Sequence, residues 1–257
     1  MRWSKSLSIF LMPNPPVRII CFQSLAARGS VGLKAYAGIL HDYWVPVPSL
    51  YLNGPGNMPG CRKFRAGAVE MLRSVIETEW EAGTRLVLVV GYIADEAQIR
   101  SLIHLLREYR ERFESILIDP ICGDNGQAYV EAGIIRAYPE LLELGHVHFP
   151  NVTELQLISG LDNLDAALNW WKQRFPSAIL VATGLIERSR IGIVYQSEGL
   201  TFRHDEKLRE PPISGSGDLF LAKVAYLHFV VGKSLPKSVI QSAKFVENSM
   251  ASTKLFT

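Results

Sequence analysis

Cysteine is scarce in this chain: 257 residues contain only Cys21, Cys61 and Cys122, odd in number and far apart. Without a C-x-x-C pair they exclude a disulfide framework and a cysteine-based zinc site, and they suit a reducing, cytoplasmic compartment. Charge imbalance is also small. Lys and Arg number 27 against 25 Asp and Glu, a net +2, and the basic residues are scattered, so nothing points to nucleic acid as a partner. No apolar run reaches the ~20 residues a membrane span needs, since residues 219–231 are interrupted by Lys223 and His228 and read as a buried helix. Repeats and low-complexity tracts are lacking. So are three signatures of common enzyme classes. There is no complete P-loop, since Gly232-Lys233-Ser234 is preceded by Leu227 where the leading glycine would stand, and Arg28-Gly29-Ser30-Val31-Gly32 is not a dinucleotide fingerprint. Ser214-Gly215-Ser216-Gly217 lacks the leading glycine of a nucleophile elbow.

What the chain has is 48% hydrophobic residues in a regular alternation of elements. Residues 1–16, a short apolar run behind Arg2 and Lys5 followed by Pro13, Pro15 and Pro16, read as a flexible lead-in, and residues 17–257 as one domain. The patterns predict strands at 17–22, 44–52, 85–90, 115–118, 146–149 and 178–182. Helices are predicted at 29–41, 64–80, 95–113, 134–144, 153–159, 162–175, 217–231 and 236–253, and a hairpin from 190–195 and 199–202. Pro46 and Pro48 put the second strand at an edge or an irregular position, and residues 53–60 and 121–126 read as loops. The order implies a single α/β domain: a mainly parallel central sheet with helices on both faces, right-handed crossovers and a small β-hairpin. In such folds ligands bind beyond the carboxyl ends of the strands. Gln23-Ser24, Asn53, Gly91-Tyr92, Asp119, Asn151 with Glu154, and Thr183 all fall there.

One more stretch is expected at that edge: Pro211-Pro212-Ile213-Ser214-Gly215-Ser216-Gly217-Asp218 ahead of an apolar helix. The prolines keep the approach extended, Ser214 is a candidate N-cap, and Gly215 and Gly217 allow a ligand close to the backbone. The unpaired first-turn amides then form an anion site. Asp218 is either a dipole partner of that helix or an acid placed to take a proton from a hydroxyl while the amides hold a phosphoryl group.

The pieces Phe22-Gln23-Ser24, Gly91-Tyr92, Asp119-Pro120 with Gly123-Asp124, Pro150-Asn151-Val152-Thr153-Glu154-Leu155, Thr183 and Gly215-Ser216-Gly217-Asp218 together resemble, in order and spacing, the pyridoxal kinases of the ribokinase-like superfamily. The resemblance covers nearly all of the chain from Val17 onward. It implies ATP-dependent phosphorylation of a hydroxymethyl group on pyridoxal, pyridoxine or pyridoxamine. Asp218 would be the general base, and Gly215, Ser216 and Gly217 the amides around the transferred group. Asp119 and Glu154 would serve Mg²⁺, with Asn151, Thr183 and Tyr129 near the nucleotide, and Ser24, Asn53 and Tyr92 at the acceptor. Related kinases are often dimers, and the hydrophobic content permits a homodimer.

Taken alone, several of these residues have other readings. Asn151 and Glu154 together satisfy a helix capping box. Asp119-Pro120 is an ordinary strand exit, Thr183 can simply end a strand, and Tyr129 can be a half-buried aromatic. The chain also departs from the family. Leu25 stands where a histidine is usual, Asn53-Gly54-Pro55-Gly56-Asn57 replaces an Asn-His-Thr-Gly type segment, and Phe149 replaces a threonine whose oxygen helps bind a monovalent cation. These departures leave open two further readings: a related kinase for another alcohol, such as a hydroxymethylpyrimidine or a sugar-like substrate, and a binding protein without activity.

Overall fold

Alternation of apolar strands with amphipathic helices gives, in the computed structural model, eleven strands and eight α-helices among the described residues, which are 15–54, 58–65, 67–207 and 214–251. In chain order these are β1 (Val17–Ala26), α1 (Leu33–Leu40), β2 (Trp44–Leu52), β3 (Lys63–Arg65), α2 (Ala68–Glu81), β4 (Arg85–Val90), α3 (Glu96–Tyr109), β5 (Phe113–Ile118), β6 (Gly123–Asp124), β7 (Gln127–Ala128) and α4 (Ala132–Leu142). They continue with β8 (Val147–His148), α5 (Val152–Ser159), α6 (Leu164–Arg174), β9 (Ile179–Glu187), β10 (Arg190–Ser197), β11 (Leu200–Lys207), α7 (Ser216–Ala225) and α8 (Leu235–Ala251). Nine strands form one sheet in the order β11-β10-β9-β8-β5-β4-β1-β2-β3. The six from β9 to β2 run parallel, with β3 antiparallel at one edge and β10 and β11 at the other.

The inner strands lack a polar side because both sheet faces are covered. One set of strand residues, Ile20, Phe22, Leu86, Leu88 and Val90, packs with Leu72 and Ile76 of α2 and Leu102 and Leu106 of α3. The alternate set, Ile19, Cys21, Val87 and Val89, packs with Tyr36 and Leu40 of α1, Ala222 and Val224 of α7, and Val239 of α8. Period-two alternation therefore supplies two cores, one for each helical layer. Pro46 and Pro48 are tolerated in β2 because β3 pairs only with Leu50, Tyr51 and Leu52, leaving the proline half of the strand with β1 as its partner.

Several expected boundaries move. Phe64 belongs to β3, and the helix expected from residue 64 begins at Ala68. The hairpin predicted from residues 190–202 is present but extends the main sheet, and the small separate hairpin is β6 with β7, which begins inside the 121–126 segment read as a loop and ends just beyond it. The strand expected to stop at residue 182 continues to Glu187, where it pairs with β10. Helix α7 begins at Ser216 with Gly215 as its N-cap in place of Ser214, and after Ala225 it widens into a π-type turn, Tyr226–Val230. Residues 1–14, 55–57 and 208–213, which include most of the lead-in and Pro211 to Ile213, lie outside the described residues.

One buried polar pair fastens α6 to the sheet. His148 is fully buried, its Nε2–H donates to the Leu142 carbonyl at 2.9 Å and its Nδ1 accepts from Trp171 Nε1–H at 3.0 Å. An indole nitrogen is only a donor, so the ring is neutral, and burial pushes its pKa down to about 3. Trp171→Phe should therefore strand a buried acceptor and lower stability by ~1–3 kcal/mol. An unchanged urea midpoint would show that this bond contributes nothing.

Candidate active site

Parallel pairing lines up the carboxyl ends of β1, β4, β5, β8 and β9, and a staircase of backbone bonds crosses them. The Gly91 amide donates to the Phe22 carbonyl at 2.9 Å, Asp119 to Val90 at 2.8 Å, and Thr183 to Pro150 at 2.9 Å. Asn151 and Thr183 also form an isolated parallel bridge. Each strand thus delivers one of the expected polar residues to the same edge.

Asp218, in the first turn of α7, meets the tip of β1. Its Oδ1 accepts from Gln23 Nε2 at 3.0 Å and its Oδ2 from the Gly32 amide at 2.8 Å. Gly32 is the N-cap of α1, with φ 59° and no side-chain cap of its own, so the Asp218 carboxylate serves as the anion at that helix start as well as in its own first turn. Close approach is what requires glycine at position 32, because a Cβ there would lie 2.2 Å from the Ser24 carbonyl oxygen. Gly215 has φ 87°, and the first bond of α7 runs from Leu219 N to Gly215 O at 2.9 Å. The Ser216, Gly217 and Asp218 amides precede that bond and face outward from the helix start, as an anion site needs.

Two more carboxyls lie nearby. Glu154 is buried, its Oε2 accepting from the Asn151 amide at 2.8 Å and its Oε1 from the Cys122 amide at 3.2 Å. Asn151 Oδ1 accepts from the Glu154 amide, completing the capping box of α5, while Asn151 Nδ2 donates to the Gly123 carbonyl at 2.9 Å. The capping reading of these residues is thus realised, and the same bonds lash the β6–β7 hairpin to α5. Burial and the Asp218 charge raise the Asp119 pKa well above the usual carboxylate range. Burial and the Asp119 charge do the same to Glu154. Burial raises Asp218 to about 6, opposed by its bonds to Gly32 and Gln23. Among the described residues no Lys or Arg is ion-paired to any of the three. Such a cluster favours protons or a cation. No three His, Cys, Asp or Glu side chains among the described residues converge as a closed metal cage.

At the same end of β1, on the side of β2, the acceptor candidates behave unequally. Tyr92 is tied by its amide to Gln23 Oε1 at 2.7 Å and by its carbonyl to Ser49 Oγ at 2.6 Å. Its hydroxyl accepts from Lys63 Nζ at 2.8 Å, bringing a cation from β3 that no sequence signal marked. Ser24 is buried beside Gly32. The Asn53 side chain is engaged within its own loop, donating to the Gly60 carbonyl at 3.2 Å and accepting from the Arg62 amide at 2.6 Å. Tyr129 is half exposed, and Phe149 packs edge-on to Phe220 of α7 with centroids 6.3 Å apart. Gln23 was placed at this edge from sequence but given no role, and Gly32, the other residue that holds Asp218, was not singled out as part of the site. A polar residue in the last turn of an otherwise apolar strand was the available signal for Gln23. Gly32→Ala should cost roughly 1–3 kcal/mol through strain at positive φ and collision with Ser24, and a urea midpoint equal to the parent's would show that the turn relaxes freely.

Residues 56–256 match the family described as phosphomethylpyrimidine kinase. A pyridoxine/pyridoxal/pyridoxamine kinase of Bordetella avium is 27% identical, over 92% of this chain and 86% of its own length. Pyridoxal kinase from Entamoeba histolytica superposes with a TM-score of 0.82 at 18% identity, covering 92% of this chain and 90% of that one. The Leishmania donovani pyridoxal kinase in complex with ADP and pyridoxamine gives 0.78 at 20% identity, covering 92% and 86%.

Proposed function

The chain belongs to the phosphomethylpyrimidine kinase family, a family of small-molecule kinases, and from that premise we propose that it phosphorylates the hydroxymethyl group of pyridoxal, pyridoxine or pyridoxamine at the expense of ATP. Asp218 is the base in this reading. The observation that carries it is a carboxylate at the start of α7, beside unpaired amides, with each oxygen oriented by a fixed N–H. Each oxygen keeps a second lone pair for the acceptor hydroxyl.

In the proposed reaction Asp218 takes the proton of the hydroxymethyl O–H as its oxygen bonds to the γ-phosphorus and the bond from phosphorus to the β,γ-bridging oxygen breaks, releasing ADP. The amides of Ser216 and Gly217, with Gly215 supplying the turn, stabilise charge on the phosphoryl oxygens. Mg²⁺, held by the Asp119 carboxylate and through water by Glu154, would neutralise the phosphates when bound. Asp119 suits that part because, among the described residues, no donor is bonded to its carboxylate and the Asp218 charge lies close to it. Asn151, Thr183 and Tyr129 flank the nucleotide side, and Ser24 and Tyr92 the acceptor side. A second acceptor, a hydroxymethylpyrimidine, is favoured by one observation: Asn53 is bonded within its own loop and has its polar atoms engaged there.

A coupled assay for ADP with pyridoxal, pyridoxine, pyridoxamine and hydroxymethylpyrimidine tests the reading, which fails if every alcohol leaves ATP intact. Asp218→Asn should lower turnover ~10²–10⁴-fold, and wild-type turnover would remove Asp218 from the reaction. Because a base must be ionised and Asp218 titrates near 6, kcat/KM should be level above that pH and fall tenfold per unit below it. A profile flat down to pH 4.5 would contradict the assignment.

A further inference from the structure

We infer that Gln23 is the positioning residue of the base, an assignment that rests on the reading of Asp218 just given. Its side chain is 1% exposed, so solvent offers it no alternative partner. Its orientation is also determined. Oε1 accepts from the Ser24 amide at 2.8 Å and from the Tyr92 amide at 2.7 Å. A flipped group would turn its NH2 against those two N–H donors, so Nε2 is directed at Asp218 Oδ1, 3.0 Å away. The backbone is shaped around that group as well: a Cβ on Gly91 would lie 2.1 Å from Gln23 Nε2. A residue after β4 has been kept without a side chain where the amide must pass.

Every group that faces Asp218 makes this donor matter. Asp119, at the end of β5, is a second acid and offers no donor, and burial and the Asp218 charge raise its pKa. Tyr36 of α1 is fully buried, with a hydroxyl that makes no hydrogen bond of ordinary geometry, and the charges of Asp218 and Asp119 oppose its ionisation. The ionised carboxylate is therefore supported by two N–H groups, the Gly32 amide and Gln23 Nε2, and only the second is a side chain. Gln23 also joins Asp218 to Tyr92, so the base and the acceptor wall share one rigid link.

A purely structural role is the competing account, since Gln23 ties the tips of β1 and β4 together. The split between kcat and KM separates the two, and Gln23→Glu is one probe: its carboxyl still accepts from the Ser24 and Tyr92 amides but sets a second acid, in place of a fixed amide donor, against Asp218. Gln23→Met removes the donor without adding charge. With pyridoxal and Mg-ATP, both variants should lose kcat ~30–100-fold while KM for each substrate stays within about threefold, a split that a general loosening of the site would not give. Wild-type kcat in Gln23→Met, or losses that appear in KM, would overturn the assignment. Asp218→Asn run alongside distinguishes the failures. If it is inactive while the Gln23 variants turn over normally, only the role of Gln23 is refuted, whereas normal turnover in Asp218→Asn refutes the base itself.

Discussion

A carboxylate held between two fixed N–H donors is the constraint on which the site depends. Asp218 reaches from the first turn of α7 to the end of β1 and the start of α1, three elements brought together by the core that contains Ile19, Cys21, Tyr36 and Ala222. Neither helix start has a side-chain cap of its own, and one acid serves both. That economy has a consequence for chemistry. The group that completes the local fold is also the group whose oxygens are oriented for proton transfer, so loosening the packing of α7 on α1 would disorient the base even with every polar residue intact.

The remaining polar residues follow from the strand order. β1, β4, β5, β8 and β9 are successive neighbours, and backbone bonds from Gly91 to Phe22, Asp119 to Val90 and Thr183 to Pro150, with Asn151 bridged to Thr183, put Gly91, Asp119, Asn151 and Thr183 at one edge. Three carboxyls gather there without a paired cation among the described residues, and burial raises the pKa of each. Such a site holds its charge at a cost in stability. Each group has a folded pKa above its unfolded value, so ionising it favours unfolding as pH rises through the folded pKa. Binding of Mg-nucleotide would offset that penalty, coupling substrate occupancy to stability.

Much of this was legible from the chain. The buried strand 85–90, the order of alternating elements, the prolines of β2 and the capping box at Asn151 and Glu154 all rest on local rules of period, propensity and capping, and the structure contains them. What escaped were features set by distant residues. Three-residue strand β3 exists because β2 offers it an edge, and Phe64 has no periodicity to announce it. Gly32 was expected inside a helix spanning 29–41, but that helix begins at Leu33 and the Gly32 amide is bonded by Asp218, 186 positions away. Gln23 was visible as a strand-end residue, while its bond to Asp218 spans 195 positions and no spacing rule reaches that far. Asn53 shows the converse, a polar residue at the expected strand end whose side chain is bonded by its own loop.

The proton acceptor is the centre of the account, and a crystal structure of the protein with Mg²⁺, a non-hydrolysable ATP analogue and pyridoxal tests it most directly. The hydroxymethyl oxygen should lie about 3 Å from an Asp218 oxygen, with the bonds from Gln23 and Gly32 retained and the γ-phosphate over the Ser216 and Gly217 amides. An acceptor hydroxyl bonded to another residue, with Asp218 still facing only Gln23 and Gly32, would contradict it.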